Sequence, residues 1–178
     1  MLLKRYLAEG LLEYKAHTAT DDRGEFVKIF SQDAFGEVQF SSGIRESFFT
    51  TSKKNVLRGM HFQTPPYDHE KIVCCTAGSI LDVVVDLRKA SDSYRQCFSL
   101  CLNEKDRNCL SIPKGFAHGF LVLSDWATVL YHVTSVHNKE ADSGVHWASI
   151  GFDWPVSRPV VSERDARHCD LNEYDSPF

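Results

Sequence analysis

The feature of this sequence that most limits its fold is a series of short apolar runs, each bounded by turn residues. The runs are rich in valine, isoleucine, phenylalanine and tyrosine, and they recur at intervals of roughly ten residues. This spacing is typical of an all-β sandwich or barrel, because βαβ units need a helix-length segment between consecutive strands. The runs are EFVKIF, ESFFTT, NVLRGMHFQ, KIVCCTAGSILDVVVDL, CFSLCL, NCLSIP, GFLVLS and TVLYHVT.

Helix signals are weak, and one strand has an unusual polar face. DAFGEVQF could hold a turn, and ERDARHCDLNEY near the C-terminus could hold a short helix. In SILDVVVDL, Asp82 and Asp86 share one face of the predicted strand, whereas the other face is aliphatic. We therefore expect that strand to lie between a core and something polar, either solvent or the mouth of a cavity.

Length and composition predict a single domain spanning residues 1–178, because 43% of the 178 residues are hydrophobic and can form one sizeable core. The net charge of −4 gives no basic surface for nucleic acid. Charged residues interrupt the opening MLLKRYLAEGLLEYK, which predicts neither a signal peptide nor a membrane span and therefore a cytoplasmic protein. The six cysteines include no C-x-x-C pair, and we predict reduced thiols used mostly in packing.

The run NVLRGMHFQ places Arg58, His61 and Gln63 within one short strand around Gly59. In a regular strand Arg58 would face away from His61 and Gln63. A glycine inside a strand often marks a β-bulge, which shifts the alternation of side chains by one residue. We therefore predict a bulge at Gly59 that brings the three polar side chains to one face. The alternative is an arginine at a sheet edge and a histidine satisfied in the core.

Three further polar residues lie at or inside predicted strands: Lys71 in HEKIV, His118 in PKGFAH and Tyr131 in TVLYHVT. Taken singly, each has an ordinary explanation, namely a surface lysine with a buried stem, a core histidine and a packed tyrosine. Together with Arg58 and His61 they suggest a shared site, because a barrel or jelly roll directs inward-facing side chains into one cavity. Such a cavity is the usual place for a ligand.

Several ordered motifs resemble one enzyme family: VLRGMHFQ, EKIV, GSILDVVVDLRKAS, SIPKGFAHGFLVLSD and LYHVT. They are similar to the deoxysugar-nucleotide 3,5-epimerases of the dTDP-4-dehydrorhamnose 3,5-epimerase type, within the cupin superfamily. The resemblance runs from about Asp21 to about Asp165. It implies a cupin-type jelly roll, an antiparallel β-sandwich or barrel with short helical segments at its edges and C-terminus. It also implies a homodimer that needs no metal and no organic cofactor.

The reaction that this resemblance implies is inversion of a nucleotide-diphosphate-linked 4-keto-6-deoxy sugar, in deoxysugar biosynthesis for cell-surface polysaccharide such as the O-antigen of lipopolysaccharide. The 4-keto group acidifies the protons on C3 and C5, so a base and an acid on opposite faces of the ring can invert these centres. By the resemblance, His61 is the base and Tyr131 the acid, while Lys71 stabilises the enolate oxygen. Asp165 would orient His61, although the family's serine-x-lysine-aspartate motif here reads SERD.

The resemblance also implies residues that bind the substrate. Arg23 and Arg58 match family arginines near the diphosphate, and His118 lines the pocket near the sugar. Further expected substrate-binding residues are Phe26, Glu46 and Gln63.

Departures from the family pattern concern the nucleotide. Glu46 and Phe48 stand where the family typically has glutamine and asparagine near the base, and Lys28 stands where glutamate is usual. These departures leave CDP and dTDP both open as the nucleotide. Residue identity also leaves open whether C3 alone or both C3 and C5 are inverted.

Two other functions compete with this interpretation. The first is a metal-dependent cupin oxygenase or isomerase, whose ligands would come from His61, Gln63, His69, Glu70 and His118. Two features argue against it. Gln63 replaces the second histidine of the usual His-x-His pair, and Lys71 would place a cation beside the metal. The second alternative is a sugar-nucleotide-binding module that has lost activity, against which the intact His61, Tyr131 and Lys71 argue.

Overall fold

The computed structural model describes residues 2–31, 40 and 42–178, with side chains described from residue 5 onward. In chain order the strands are β1 (Leu2–Ala8), β2 (Leu11–Lys15), β3 (His17–Asp21), β4 (Gly24–Lys28), β5 (Glu46–Lys53), β6 (Leu57–Gln63), β7 (Lys71–Ala77), β8 (Ser79–Asp86), β9 (Cys97–Asn103), β10 (Asn108–Ile112), β11 (Phe116–Val122), β12 (Trp126–Val133) and β13 (Asp142–Gly144). Two short 3-10 helices follow, Trp147–Ser149 and Asp165–Arg167.

Two large sheets form the body of the fold. One has six strands in the order β1-β2-β10-β7-β12-β5, and the other has five in the order β13-β6-β11-β8-β9. Their strand pairs are antiparallel, and the main core lies between them, with Val73 and Val129 on one side and Val84 and Phe120 on the other. This arrangement confirms the predicted all-β, cupin-type jelly roll.

The inner strands β8 and β11 of the five-stranded sheet are largely buried on both faces, which explains the continuous apolar run in β8. Val84 of β8 faces the main core, whereas Val83 and Val85 pack under the C-terminal tail, where Ile150 and Leu171 are also buried. The tail is therefore a structural layer of the fold, and its irregular backbone holds apolar side chains against the sheet.

The predicted polar face of β8 does not contact solvent. Asp82 and Asp86 are both fully buried, and each contacts specific partners, although Oδ1 of Asp82 has none among the described residues. The carboxylate of Asp82 contacts His118 Nε2 at 2.9 Å, and that of Asp86 accepts hydrogen bonds from Arg88 and from two serines. Of the two environments expected for this face, the cavity is the one that Asp82 approaches, through His118.

Several predicted elements differ from the structure. The opening segment, for which no strand was predicted, forms the hairpin β1–β2, and the long run KIVCCTAGSILDVVVDL is two strands separated at Gly78, where φ is 76°. The predicted C-terminal helix is only the single 3-10 turn Asp165–Arg167. The turn expected in DAFGEVQF falls, except for its last residue, outside the described residues. No helix in the described ranges is long and apolar enough to cross a membrane.

The prediction that all six cysteines are reduced is wrong for one pair. Cys74 on β7 and Cys109 on β10 lie directly opposite each other in the sheet, with Cα atoms 4.6 Å apart, and they form a disulfide. Sequence spacing could not identify the pair, because only the register of the two strands brings these residues together. Cys75, Cys97, Cys101 and Cys169 are free thiols.

The hairpin β3–β4 forms a separate two-stranded sheet. Val27 and Ile29, within and after β4, pack on the outer face of the six-stranded sheet against a cluster that includes Tyr14 and Ile72. The tip of the hairpin, with Arg23, extends away from that contact and is exposed to solvent.

Candidate active site

A cavity of about 470 Å³ is lined by residues of both large sheets. Lys71 of β7 and Tyr131 of β12 line it from the six-stranded sheet, and His61 of β6 and His118 of β11 line it from the five-stranded sheet. The predicted base and the predicted acid therefore lie on opposite walls of one cavity.

A bulge at Gly59 positions the residues of β6. His61 pairs with His118 and Arg58 pairs with Phe120, so three residue steps on β6 match two steps on β11. Gly59 has a φ of 141°, and a Cβ added there would lie 2.5 Å from Gly119 Cα, so no larger residue fits without displacing the backbone. The structure confirms the predicted bulge, and as a result Arg58, His61 and Gln63 all line the cavity.

His61 and Asp165 form a close pair. His61 Nε2 lies 2.8 Å from Asp165 Oδ1, and the backbone N–H of Gly59 donates to Asp165 Oδ2 at 3.1 Å. Burial acts to raise the pKa of Asp165, but the contact with His61 and the hydrogen bond from Gly59 outweigh it and hold the pKa below its ordinary value. Asp165 is thus a carboxylate at neutral pH, suited to orienting the imidazole.

The imidazole of His61 is held neutral by its surroundings. Burial lowers its pKa, the contact with Asp165 partly opposes this effect, and the charges of Arg164 and Lys71 lower it further. No hydrogen bond joins Nδ1 of His61 to any residue that the structure describes, whereas Nε2 is in contact with protein groups. A neutral imidazole with one nitrogen left to the cavity can accept a proton from a bound molecule.

Lys71 is buried beside His61, and its Nζ donates to the carbonyl oxygen of His61 at 3.3 Å. Burial lowers the pKa of Lys71 to about 8, while the carboxylates of Asp142 and Asp82 partly oppose the shift. The side chain therefore carries a charge at neutral pH although it is buried, and a buried ammonium stabilises a neighbouring oxyanion more strongly than it would in water.

Tyr131 is also buried, with only 7% of its surface exposed. Burial raises the pKa of its hydroxyl, and the charge of Asp82 raises it further, so the phenol keeps its proton over the physiological range. Phe48 stacks on the Tyr131 ring at a centroid distance of 4.8 Å, and the His118 ring meets it edge-on at 6.1 Å. These two rings fix the plane of the phenol, which suits it to donating a proton in one direction.

The other predicted binding residues differ in how far contacts within the protein already occupy their side chains. The side chain of Arg58 reaches the cavity and donates from Nε to Ser52 Oγ at 2.9 Å. Glu46 lines the cavity and accepts from the backbone N–H of His137 at 3.0 Å. His118 is 4% exposed and held by Asp82, so it is a fixed part of the wall.

Gln63 lines the cavity, but its amide is occupied by protein groups. Its Nε2 lies within hydrogen-bond distance of the Tyr67 carbonyl at 2.8 Å and of Ser135 Oγ at 3.0 Å, and its Oε1 accepts from the backbone N–H of Asn138 at 2.6 Å. Gln63 thus joins the loop after β6 to the loop after β12. These bonds favour a supporting role over the direct substrate contact expected from the sequence.

Arg23 and Phe26 do not line this cavity. Arg23 sits at the tip of the β3–β4 hairpin with 90% of its side chain exposed, paired with Asp21, and Phe26 is 58% exposed. The reason is topological, because this hairpin belongs to neither of the two sheets that enclose the cavity. Within one chain, these two predicted binding residues are separate from the other eight predicted site residues.

Arg164 and Asp142 belong to the site although sequence reasoning gave them no role. Arg164 Nη2 lies 2.8 Å from His61 Nε2, and its Nη1 donates to Asp142 Oδ2 at 2.6 Å. The only sequence signal was the arginine in SERD, at a position where the family motif has lysine. Nothing in the sequence indicated that Asp142 lies beside it.

The ligand set of a metal-dependent cupin is not assembled here. In the described part of the chain, the one group of three potential ligands consists of His61, Asp165 and His168, whose ligand atoms lie within 4.8 Å of one another. The guanidinium of Arg164 already contacts two of these three residues, at 2.8 and 3.3 Å. A positive charge at that position opposes a metal ion and favours acid–base chemistry.

Comparisons with known proteins point to one family. The model of the family described as dTDP-4-dehydrorhamnose 3,5-epimerase matches residues 6–173. The dTDP-4-dehydrorhamnose 3,5-epimerase of Escherichia coli is 40% identical over 169 residues, which cover 93% of this chain and 91% of that protein.

Solved structures agree with this result. An epimerase from Legionella pneumophila in complex with dTDP-4-keto-L-rhamnose superposes with a TM-score of 0.91 and 30% identity, covering 97% of this chain and 94% of that one. The dTDP-4-dehydrorhamnose 3,5-epimerase of Bacillus anthracis, with TDP and PPi bound, gives a TM-score of 0.91 and 29% identity, covering 95% and 98%.

Proposed function

Since the chain belongs to the dTDP-4-dehydrorhamnose 3,5-epimerase family, we propose that it inverts C3 and C5 of a dTDP-linked 4-keto-6-deoxyhexose, with His61 as base and Tyr131 as acid. The observation that carries this assignment is the position of the two side chains on opposite walls of one cavity. The enzyme is thus a sugar-nucleotide epimerase of deoxysugar biosynthesis. Of the two nucleotides that the sequence left open, the relatives support dTDP and give no support to CDP.

The first half of the reaction takes place at the wall that carries His61. Nδ1 of the neutral imidazole accepts the proton from C3, and the electrons of the C–H bond move into the C3–C4 bond and onto the C4 oxygen. Asp165 stabilises the imidazolium that forms, and the Lys71 ammonium stabilises the enolate. Lys71 and Asp165 are both buried, which strengthens both interactions.

The second half takes place at the opposite wall. The Tyr131 hydroxyl donates its proton to C3 from the other face, the C4 ketone re-forms and the configuration at C3 is inverted. The imidazolium and the phenolate then return to their starting protonation states by exchange with solvent. The same pair of groups acts on C5 once the ring presents that carbon between the two walls.

Counting solvent protons incorporated into the sugar tests this function. The enzyme is incubated in heavy water with a dTDP-linked 4-keto-6-deoxyglucose, and mass spectrometry counts the deuterons that the product gains. Two deuterons support inversion at both carbons. A single deuteron at C3 would limit the activity to that centre, and the absence of deuterium together with unchanged substrate would refute the proposal. The CDP-linked sugar in a parallel reaction serves as the nucleotide control.

Lys71 gives a prediction about pH. Its ammonium is needed beside the enolate, and its pKa of about 8 means that the charge is present below that pH and lost above it. We expect kcat/KM to fall on the alkaline side with an apparent pKa near this value. Lys71→Met is expected to lower kcat by about 10²–10³ and to remove the alkaline limb. Lys114→Met, at a half-exposed lysine paired with Asp68, is the matched control and should keep both the rate and the limb.

The exposed hairpin supports a homodimer. Arg23 and Phe26 are expected to bind the substrate, yet they lie outside the cavity of their own chain, and Phe26 presents a large apolar side chain to solvent. A second copy that received this hairpin at its own cavity would bury the phenylalanine and gain an arginine for the diphosphate, which guanidinium groups bind in bidentate fashion. We therefore propose a homodimer in which each hairpin completes the site of the partner.

Complementation between inactive variants tests the shared site. Arg23→Ala and His61→Ala are each expected to be inactive alone, but a mixed dimer contains one cavity with both native residues. Co-expression in equal amounts should restore about a quarter of the wild-type activity per chain, since half of the dimers are mixed and each has one intact site. No recovery in dimers shown to be mixed would place Arg23 outside the partner's site.

The cytoplasmic location, the role in lipopolysaccharide O-antigen and the assignment of residues 1–178 to one domain stay predictions. The first two follow from the same proposal, because a sugar-nucleotide epimerase supplies activated deoxysugars to the glycosyltransferases that build surface polysaccharide. Growth of a deletion strain and analysis of its surface sugars would test the pathway.

A further inference from the structure

One nitrogen of the proposed base has two neighbours of opposite charge. His61 Nε2 lies 2.8 Å from Asp165 Oδ1 and 2.8 Å from Arg164 Nη2. A guanidinium can only donate hydrogen bonds, and a carboxylate can only accept them. A ring nitrogen that carries a proton can therefore bond Asp165 but not Arg164, and a bare nitrogen can bond Arg164 but not Asp165. The two contacts belong to two different proton positions.

The surroundings favour the arrangement with Arg164 when no ligand is bound. Arg164 is anchored by Asp142 at 2.6 Å, and its Nε lies 3.3 Å from Asp165 Oδ1. Asp165 also accepts the backbone N–H of Gly59, so its oxygens have donors even without His61. A neutral imidazole with its proton on Nδ1 therefore keeps partners for its Nε2, for Arg164 and for Asp165, and leaves its Nδ1–H to the cavity.

We infer that Arg164 is a positioning residue that holds His61 with its proton on Nδ1 in the ligand-free enzyme, and that the reactive form, with the proton on Nε2 and bonded to Asp165, appears when Arg164 is displaced. This inference rests on the proposed role of His61 as the base. Nδ1 is the nitrogen left to the cavity, so a proton there prevents it from accepting another. The anionic sugar nucleotide is the species that competes with Asp142 for the guanidinium, whose side chain is 53% exposed and can move.

The charges around His61 decide whether removal of Arg164 raises or lowers the pKa of His61. Lys71 on β7 lowers that pKa and Asp165 raises it, in addition to the lowering by Arg164. The further titratable or charged groups near His61 are His118 on β11, Asp142 on β13 and His168 after the last 3-10 helix. Removal of Arg164 leaves these groups in place and removes one positive charge, so the pKa of His61 should rise.

The test combines the variant Arg164→Gln with a matched control. Arg167→Gln also removes an arginine at an end of the 3-10 helix Asp165–Arg167. That side chain is 79% exposed and pairs only with Glu163 among the described residues. Nitrogen-15 NMR of ligand-free protein labelled in histidine reports which ring nitrogen of His61 carries the proton. The wild type and Arg167→Gln should show the proton on Nδ1, and Arg164→Gln should show it on Nε2. The pH dependence of kcat/KM should show the acidic limb of Arg164→Gln raised by about one unit.

Two results would overturn the inference. One is a ligand-free wild-type enzyme with the proton of His61 on Nε2, and the other is an acidic limb that Arg164→Gln moves no further than Arg167→Gln does. The NMR measurement needs no catalytic activity and no variant. It therefore decides the inference even if the deuterium experiment finds no epimerase, in which case the proposed function fails separately.

Discussion

A His61→Ala variant is expected to lose incorporation of deuterium at C3 while it continues to bind the dTDP-linked sugar. The buried carboxylate of Asp165 holds this imidazole at 2.8 Å with Nδ1 left to the cavity, whereas the other imidazole on that wall, His118, is held by Asp82. Alanine at position 61 therefore removes the proposed base. Positioned acid–base groups are worth roughly 10²–10⁴ in rate, so exchange should fall by at least that lower factor. Mass spectrometry of the recovered sugar in heavy water measures the loss.

The control for this variant is His132→Ala. His132 lies on β12, does not line the cavity and is bonded through Nδ1 to Ser47 Oγ at 2.9 Å. Its removal should leave exchange within about twofold of wild type, as is usual for changes away from a site. Isothermal titration with dTDP separates lost chemistry from lost binding. Wild-type exchange in His61→Ala would remove the imidazole from the role of base.

A Tyr131→Phe variant is expected to separate the two halves of the reaction. Phenylalanine keeps the ring stacked on Phe48 at 4.8 Å and fills the same space, but it has no proton to donate. His61 can still remove and return the C3 proton on its own face. Exchange with solvent should therefore persist at a reduced rate, whereas the inverted product should fall by roughly 10²–10⁴.

Tyr94→Phe is the matched control, because Tyr94 lies outside the cavity and is stacked against Arg95. It should retain both exchange and inversion. Proton NMR of the sugar gives the configuration at C3, and mass spectrometry of the same sample gives the deuterium content. An equal loss of exchange and inversion in Tyr131→Phe would contradict the division of labour between the phenol and the imidazole.

The sequence predicted the body of the fold because the apolar residues of most strands form the patterns expected of buried β-strands. Alternation and β-branched residues identified β8 and β12, and a glycine within a polar strand was enough to predict the bulge at Gly59. The hairpin β1–β2 was missed because charges interrupt its apolar pattern. Arg5 and Glu13 in that hairpin are paired across the strands at 2.8 Å, which makes charged residues compatible with a strand.

Site residues that lie within a recognisable motif could be predicted from the sequence. Residues whose positions depend on how several segments meet could not. The motifs around His61 and Tyr131 predicted two groups on opposite faces of a sugar ring, and both residues line the cavity. The positions of Arg164 and Asp142 depend on how the C-terminal tail lies over β6 and β13, which residue spacing does not define. Arg23 could not be assigned to a site from one chain, because its hairpin lies apart from its own cavity.

The structure of the wild-type enzyme bound to an unreactive dTDP-6-deoxyhexose, with a hydroxyl in place of the C4 ketone, tests the central claim most directly. The measured quantities are the distances from C3 of the sugar to the His61 imidazole and to the Tyr131 Oη, and the face of the ring that each group meets. We expect both groups within about 3.5 Å of C3, on opposite faces of the ring. A complex with both groups on one face, or with either group directed away from the sugar, would contradict the proposed mechanism.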